Sequence, residues 1–199
     1  MPVSTTAAQL QKWADAGVVD RARVEEAVRS IQIEVMRMKQ LLTAFSDFAK
    51  LPQANFTRVV LETFVTDIKD LFAEQIANGH LHLHVEGDHA AMICDADQVR
   101  QVILNLVTNS YEANASVVEI KIYGAVDRLN FEISDDGEGI KIGPGIDPFT
   151  PLYTTKSRGS GLGLAICRRI IIDHGGDITY QNNPTGGTVF AFYLPQGVS

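Results

Sequence analysis

The sequence has only two cysteines, and neither sits in a CxxC pattern. Cys94 and Cys167 are too few to staple a small secreted fold, so they predict two buried, reduced thiols in a cytoplasmic protein. Long apolar runs are lacking as well. The longest, such as Val102–Val107, are far too short to cross a bilayer, and no stretch has signal-peptide character. Basic runs are absent and the net charge is −7, which argues against a nucleic-acid partner. Two phosphate-binding motifs are missing. GxxxxGK[ST] does not occur, and the GxGxG at Gly159–Gly163 follows Lys and Arg rather than a buried strand, so a dinucleotide fold fits badly.

What is present suits a folded protein: 199 residues, 45% hydrophobic and 21% charged, enough for one ordinary domain and an appendage or for one large domain. From about Asp20 to Ala49, Val24, Val28, Ile31, Val35, Met38, Leu42, Phe45 and Ala49 recur at spacings of four and three. That is a heptad seam, widened by Leu41 and Phe48 toward bundle packing. One helix cannot bury such a stripe alone, so it either packs on the chain's own globular domain or, as we expect, forms a homodimer through the 20–49 helix. A short helix is expected over Ala7–Ala14, broken at Ala16-Gly17, and Leu51-Pro52 ends the long one.

Beyond it, the pattern predicts a strand at Asn55–Val60 and a helix at Leu61–Ala77 with Phe64, Ile68, Leu71 and Phe72 inward. Leu81, Leu83 and Val85 alternate with His80, His82 and His84, a strand whose histidines read as an exposed face or, less simply, as metal ligands. Ala91–Cys94 follows as a strand. Asp95 is placed to cap a helix over Ala96–Ala113 with Val99, Val102, Ile103, Leu106 and Val107 inward, and Asn105, Asn109 and Glu112 share one face. Strands at Val117–Ala125 and Leu129–Ser134, a helix at Leu164–Asp173 and a hairpin of Ile178–Gln181 with Thr188–Leu194 complete an α+β pattern.

The organising stretch is Glu132–Ile172, where two glycine clusters flank a loop rich in Gly and Pro. Glycine lets backbone approach a base or phosphate, and the second cluster falls where a helix begins. Asp135 can only accept, which suits an adenine amino group, although a turn with an exposed Asp fits the same residues. The amide oxygens of Asn105 and Asn109 are hard, neutral donors suited to Mg²⁺, while a polar line on a helix is also what any solvated face presents. The loop from Ile140 to Arg158 is long enough for a lid, and Lys156 and Arg158 could neutralise phosphates or simply be solvated.

Asn105-Leu106-Val107-Thr108-Asn109, Asp135-Asp136-Gly137-Glu138-Gly139, Gly159-Ser160-Gly161-Leu162-Gly163-Leu164 and Gly186-Gly187-Thr188, in that order, resemble the N, G1, G2 and terminal glycine boxes of the Bergerat-fold ATPases. Pro148–Lys156 resembles the phenylalanine box of sensor histidine kinases, and Leu42–Pro52 the second dimerisation helix of nitrogen-regulation sensor kinases. The resemblance implies a Bergerat α/β sandwich, a mixed sheet covered by helices on one face, at residues 53–199, after a partial dimerisation segment at 1–52. It implies Asn109 as the Mg²⁺ ligand, Asp135 as the adenine reader, and Asn105, Lys156 and Arg158 as groups acting on the transferred phosphoryl. It further implies a nucleotide lining from Glu112, Gly137, Gly139, Ile140, Thr155, Gly159, Ser160, Gly161, Leu162, Gly163, Leu164 and Thr188.

Asn105 stands where hydrolytic members carry a water-activating Glu, and an amide cannot take that proton. The implied function is therefore a protein histidine kinase that passes the γ-phosphoryl of Mg·ATP to a histidine and on to a response regulator. The other readings are an ATP-driven clamp and a non-catalytic dimerising scaffold. No histidine precedes His80, so the acceptor is expected outside these residues and autophosphorylation by this chain alone is not expected.

Overall fold

The computed structural model describes residues 8, 11–13, 15, 21–49, 51–87, 91–143, 145–154 and 160–196, without the side chains of 37, 40, 41, 43, 44 and 47–49. The chain divides into two units, Met1–Leu51 with Lys156–Ser160, and Pro52–Thr155 with Gly161–Ser199.

In the first unit, helix α1 runs Arg21–Ala49. It opens with an Arg21–Glu25 pair at 2.9 Å, one turn apart. Along the heptad seam Val28, Val35, Met38, Leu42 and Phe45 each leave more than two fifths of their surface open. Leu41, Phe48 and Ala49 of the predicted stripe have side chains outside the description. Ala8, Gln11–Trp13 and Asp15 are helical, and the predicted break at Ala16-Gly17 lies outside the described residues.

In the second unit, β1 (Thr57–Val60) pairs antiparallel with β3 (Ala91–Cys94) in a small ribbon. Among the described residues five strands form the main sheet: β2 (Leu81–Glu86), β4 (Val118–Gly124), β5 (Arg128–Asp135), β6 (Asp177–Asn182) and β7 (Thr188–Pro195). Their order is β2-β4-β5-β7-β6, with β2 parallel to β4 and the other neighbours antiparallel, so the sheet is mixed. Alternation works as expected: Ile120, Ile122, Leu129, Phe131, Ile133, Phe190, Phe192 and Leu194 are buried, and Phe131 stacks on Phe192 at 4.6 Å.

Helix α4 (Ala96–Glu112) supplies Val99, Val102, Ile103, Leu106 and Val107, all fully buried. At about 1.5–3 kcal/mol for each such side chain, this face alone outweighs any propensity effect in placing the helix. Helix α5 (Gly163–Asp173) packs on α4, β6 and β7. Its end is set by Gly175 at φ +75° and by Gly176, where a Cβ would lie 1.9 Å from the Tyr193 carbonyl oxygen.

Three expectations need correction. The helix predicted over Leu61–Ala77 is two, α2 (Leu61–Leu71) and α3 (Ala73–Ala77), because Phe72 leaves helical geometry (φ −115°, ψ 26°) to bury its ring. Leu71, expected inward, is 42% exposed. The strand predicted from Asn55 starts at Thr57, since the Asn55 N–H is committed to Asp95 Oδ2 at 2.9 Å.

Candidate functional site

Helix α4 is fixed at its start by Asp95, whose Oδ1 accepts the N–H groups of Asp97 and Gln98, each at 3.1 Å. Oδ2 takes the Asn55 N–H, and the Asp95 N–H itself donates to His174 Nε2 at 3.0 Å. His174 Nδ1 then donates to the Ile170 carbonyl at 2.8 Å, and Phe56 rests against the ring at 5.0 Å. Burial works to raise the Asp95 pKa, but the N–H groups of Asn55, Gln98 and Asp97 outweigh it and hold the carboxyl below its ordinary value. Gln98 Nε2 donates to the Pro52 carbonyl at 2.9 Å, so the segment 52–56 is fastened to the base of this helix.

At the other end of α4, consecutive residues reach the two glycine clusters. Asn109, half-buried, points at the start of α5: a Cβ on Gly163 would find only Asn109 Nδ2, at 4.0 Å. Ser110, buried, donates to Asp135 Oδ2 at 2.9 Å. Neighbours on a helix point about 100° apart. One turn of α4 therefore joins the first cluster to the second.

Asp135 is buried at the end of β5, which discards the reading of an exposed turn. Its Oδ1 accepts the N–H groups of Gly137 at 2.9 Å and Thr188 at 3.1 Å. Beside it Asp136 ties down the start of β4. The N–H groups of Val117 (2.9 Å) and Ser116 (2.7 Å) bond its carboxylate and lower its pKa.

The glycines are spent largely on the chain itself. A Cβ on Gly137 would approach the Ala113 carbonyl to 2.7 Å, one on Gly161 (φ +69°) the Leu152 carbonyl carbon to 2.6 Å, and one on Gly187 the Asp135 carbonyl oxygen to 1.8 Å. Gly139 (φ +72°) turns the chain so that the backbone of Ile140 bonds Asn182 at both ends, N–H to Oδ1 at 2.9 Å and carbonyl from Nδ2 at 2.8 Å. Gly163 differs: among the described residues only Asn109 Nδ2, at 4.0 Å, comes near its Cβ position.

Asn105 is half-buried and meets Cys167 of α5, whose thiol burial pushes up to about 12. Glu112 is exposed, Leu162 is a fully buried core residue and Leu164 is half-buried. The loop after Ile140 is pinned by Phe149, which is buried edge-on to Phe190 at 6.3 Å and covered by the Arg168 guanidinium at 5.4 Å. Arg168 also pairs with Asp147. Thr155, Lys156, Arg158 and Gly159 lie outside the described residues, and Ser160 belongs to the first unit.

Two residues of the site, Ser110 and Asn182, are not among those the sequence pattern singles out. Ser110 carried a signal: it falls three and four residues after Val107 and Leu106 on the apolar face, where a hydroxyl must find a partner. His80, His82 and His84 are exposed, and no group of three or more His, Cys, Asp or Glu side chains suited to a metal occurs among the described residues. No described helix is long and apolar enough to cross a membrane.

Residues 94–198 match the family described as histidine kinase-, DNA gyrase B-, and HSP90-like ATPase. A putative sensor histidine kinase, NtrY-like, of Rickettsia bellii is 28% identical over 197 residues, covering 94% of this chain and 32% of the relative. The catalytic domain of histidine kinase ThkA superposes with a TM-score of 0.62 at 30% identity, over 71% of this chain and 96% of that one. ThkA in complex with the response regulator TrrA shares the fold, with a TM-score of 0.67 at 23% identity over 98% of this chain and 57% of that one. The chain spans between 21% and 36% of the length of the curated relatives it first matches.

Proposed function

The chain belongs to the histidine kinase-, DNA gyrase B-, and HSP90-like ATPase family and so carries an ATP-binding domain; from that premise we propose that it is the phosphoryl-donating part of a sensor histidine kinase. What supports the reading most is the single turn of α4 that reaches Asp135 through Ser110 and Gly163 through Asn109. Asp135 accepts from the adenine amino group. Asn109 would hold Mg²⁺ through its amide oxygen, and Asn105, Lys156 and Arg158 would act on the transferred phosphoryl.

The residue type fits the ion: a side-chain amide would offer Mg²⁺ a neutral, hard oxygen and leave the rest of its shell to waters and phosphates. Mg²⁺, when bound, neutralises charge on the β- and γ-phosphoryl oxygens. The protein orients the nucleotide and excludes water. It offers no general base at Asn105, so the γ-phosphoryl is kept for the imidazole of a histidine on a dimerisation helix. A response regulator, as in the ThkA complex, then takes it. The open stripe of α1 pairs with a second copy, and the site works in the cytoplasm.

Mixing the chain with labelled ATP, Mg²⁺ and a separate H-box peptide dimer should yield an acid-labile phosphohistidine. An Asn109→Ala chain should bind nucleotide without Mg²⁺ dependence. Steady ATP hydrolysis by the chain alone, with no transfer to the peptide, would point to a clamp instead.

A further inference from the structure

We infer that Ser110 sets the base preference of this site by fixing the carboxylate of Asp135, and is thus a positioning residue for base recognition. The inference rests on Asp135 as the base reader. An ionised carboxylate offers roughly four acceptor positions. Both on Oδ1 are filled, by the N–H groups of Gly137 and Thr188, and one on Oδ2 is filled by the Ser110 hydroxyl. Counting the described residues, a single acceptor position remains, on Oδ2. It takes a donor such as a 6-amino group and repels a 6-oxo group.

The three existing bonds hold the plane of the carboxylate, and among the described residues only Ser110 acts on the oxygen that meets the ligand. The Ser110 hydroxyl has one proton and two acceptors in reach, Asp135 Oδ2 at 2.9 Å and the Leu106 carbonyl at 3.2 Å. The shorter, charge-assisted bond prevails. Because Ser110 is buried, no bulk water stands ready to take its place. Without the hydroxyl, Oδ2 has two open positions and the carboxylate loses the restraint that aims it.

The test compares ATP with inosine triphosphate, which lacks the 6-amino group, as competitors of a fluorescent nucleotide on the full chain with Mg²⁺. The wild-type chain should prefer ATP at least tenfold. Ser110→Ala should weaken ATP by about tenfold and leave inosine triphosphate within twofold, so that the preference shrinks. Ser110→Thr, which keeps the hydroxyl, should restore it. Loss of affinity for both nucleotides alike would mark a merely structural residue and overturn the inference, as would an unchanged preference. Should Ser110→Ala fail to fold, Ser110→Cys makes the same comparison with a weaker donor, and a preference equal to wild type sinks the idea. A wild-type chain that binds ATP without preferring it would show that Asp135 does not read the base, a failure of the underlying reading and visible before any variant is made.

Discussion

Replacing Asp135 by Asn separates base recognition from folding. The amide oxygen can keep the bonds from Gly137 N–H (2.9 Å) and Thr188 N–H (3.1 Å), so the buried donors stay satisfied. The amide nitrogen takes the place of Oδ2, and Ser110 can accept from it while turning its proton to Leu106 at 3.2 Å. The three bonds persist but lose their charge assistance, at a cost of about 1–2 kcal/mol to the folded state. Toward the nucleotide the change is larger, because a donor now faces the adenine amino group. Losing a hydrogen bond to a charged acceptor costs about 1.5–3 kcal/mol, or roughly 10- to 150-fold in ATP affinity. Titration calorimetry and urea unfolding of Asp135→Asn measure the two effects separately. ATP binding within threefold of wild type, in a variant with a native unfolding midpoint, would refute Asp135 as the contact. Asp135→Ala is less informative, since it strands two backbone N–H groups and a hydroxyl together.

Asp95 has a depressed pKa, so its contribution to stability is present above about pH 4 and is lost as pH falls through the lower folded value. Asp95→Asn should lower stability by about 1–2 kcal/mol at neutral pH, because an amide nitrogen cannot accept the Asn55 N–H, and should flatten the fall of the urea midpoint below about pH 4. Gly176→Ala should destabilise by several kcal/mol, about 2–4, because its methyl meets the Tyr193 carbonyl at 1.9 Å; a melting temperature within two degrees of wild type would contradict this. Cys94 and Cys167 are both buried, and burial pushes each thiol up to about 12. A thiol reagent should therefore modify neither in the native chain and both after denaturation.

Periodicity made much of the fold legible. The face of α4 and the alternation in β4, β5 and β7 could be read because burial on one side leaves a repeat of 3.6 or 2 in the sequence. Asp95 was legible because a cap is a local device. The break at Phe72 was not: apolar residues continue through it, and only tertiary packing decides that the ring turns inward. The N-box asparagines and the glycines could be picked out by spacing, but not what they touch. Gly137, Gly161 and Gly187 are small so that one strand of backbone can lie on another, which no local pattern announces. Asn182 closes on Ile140 across 42 residues, and Ser110 on Asp135 across 25.

The clasp at residues 52–56 has a practical corollary for anyone trimming the protein to its nucleotide part. A cut placed at the first ladder residue, Thr57, would look natural on a topology diagram. It would remove the Pro52 carbonyl from Gln98 and the Asn55 amide from Asp95, and take Phe56 off His174. The helix bearing the two asparagines would then begin on half its moorings, so a minimal excised piece has to start at Pro52.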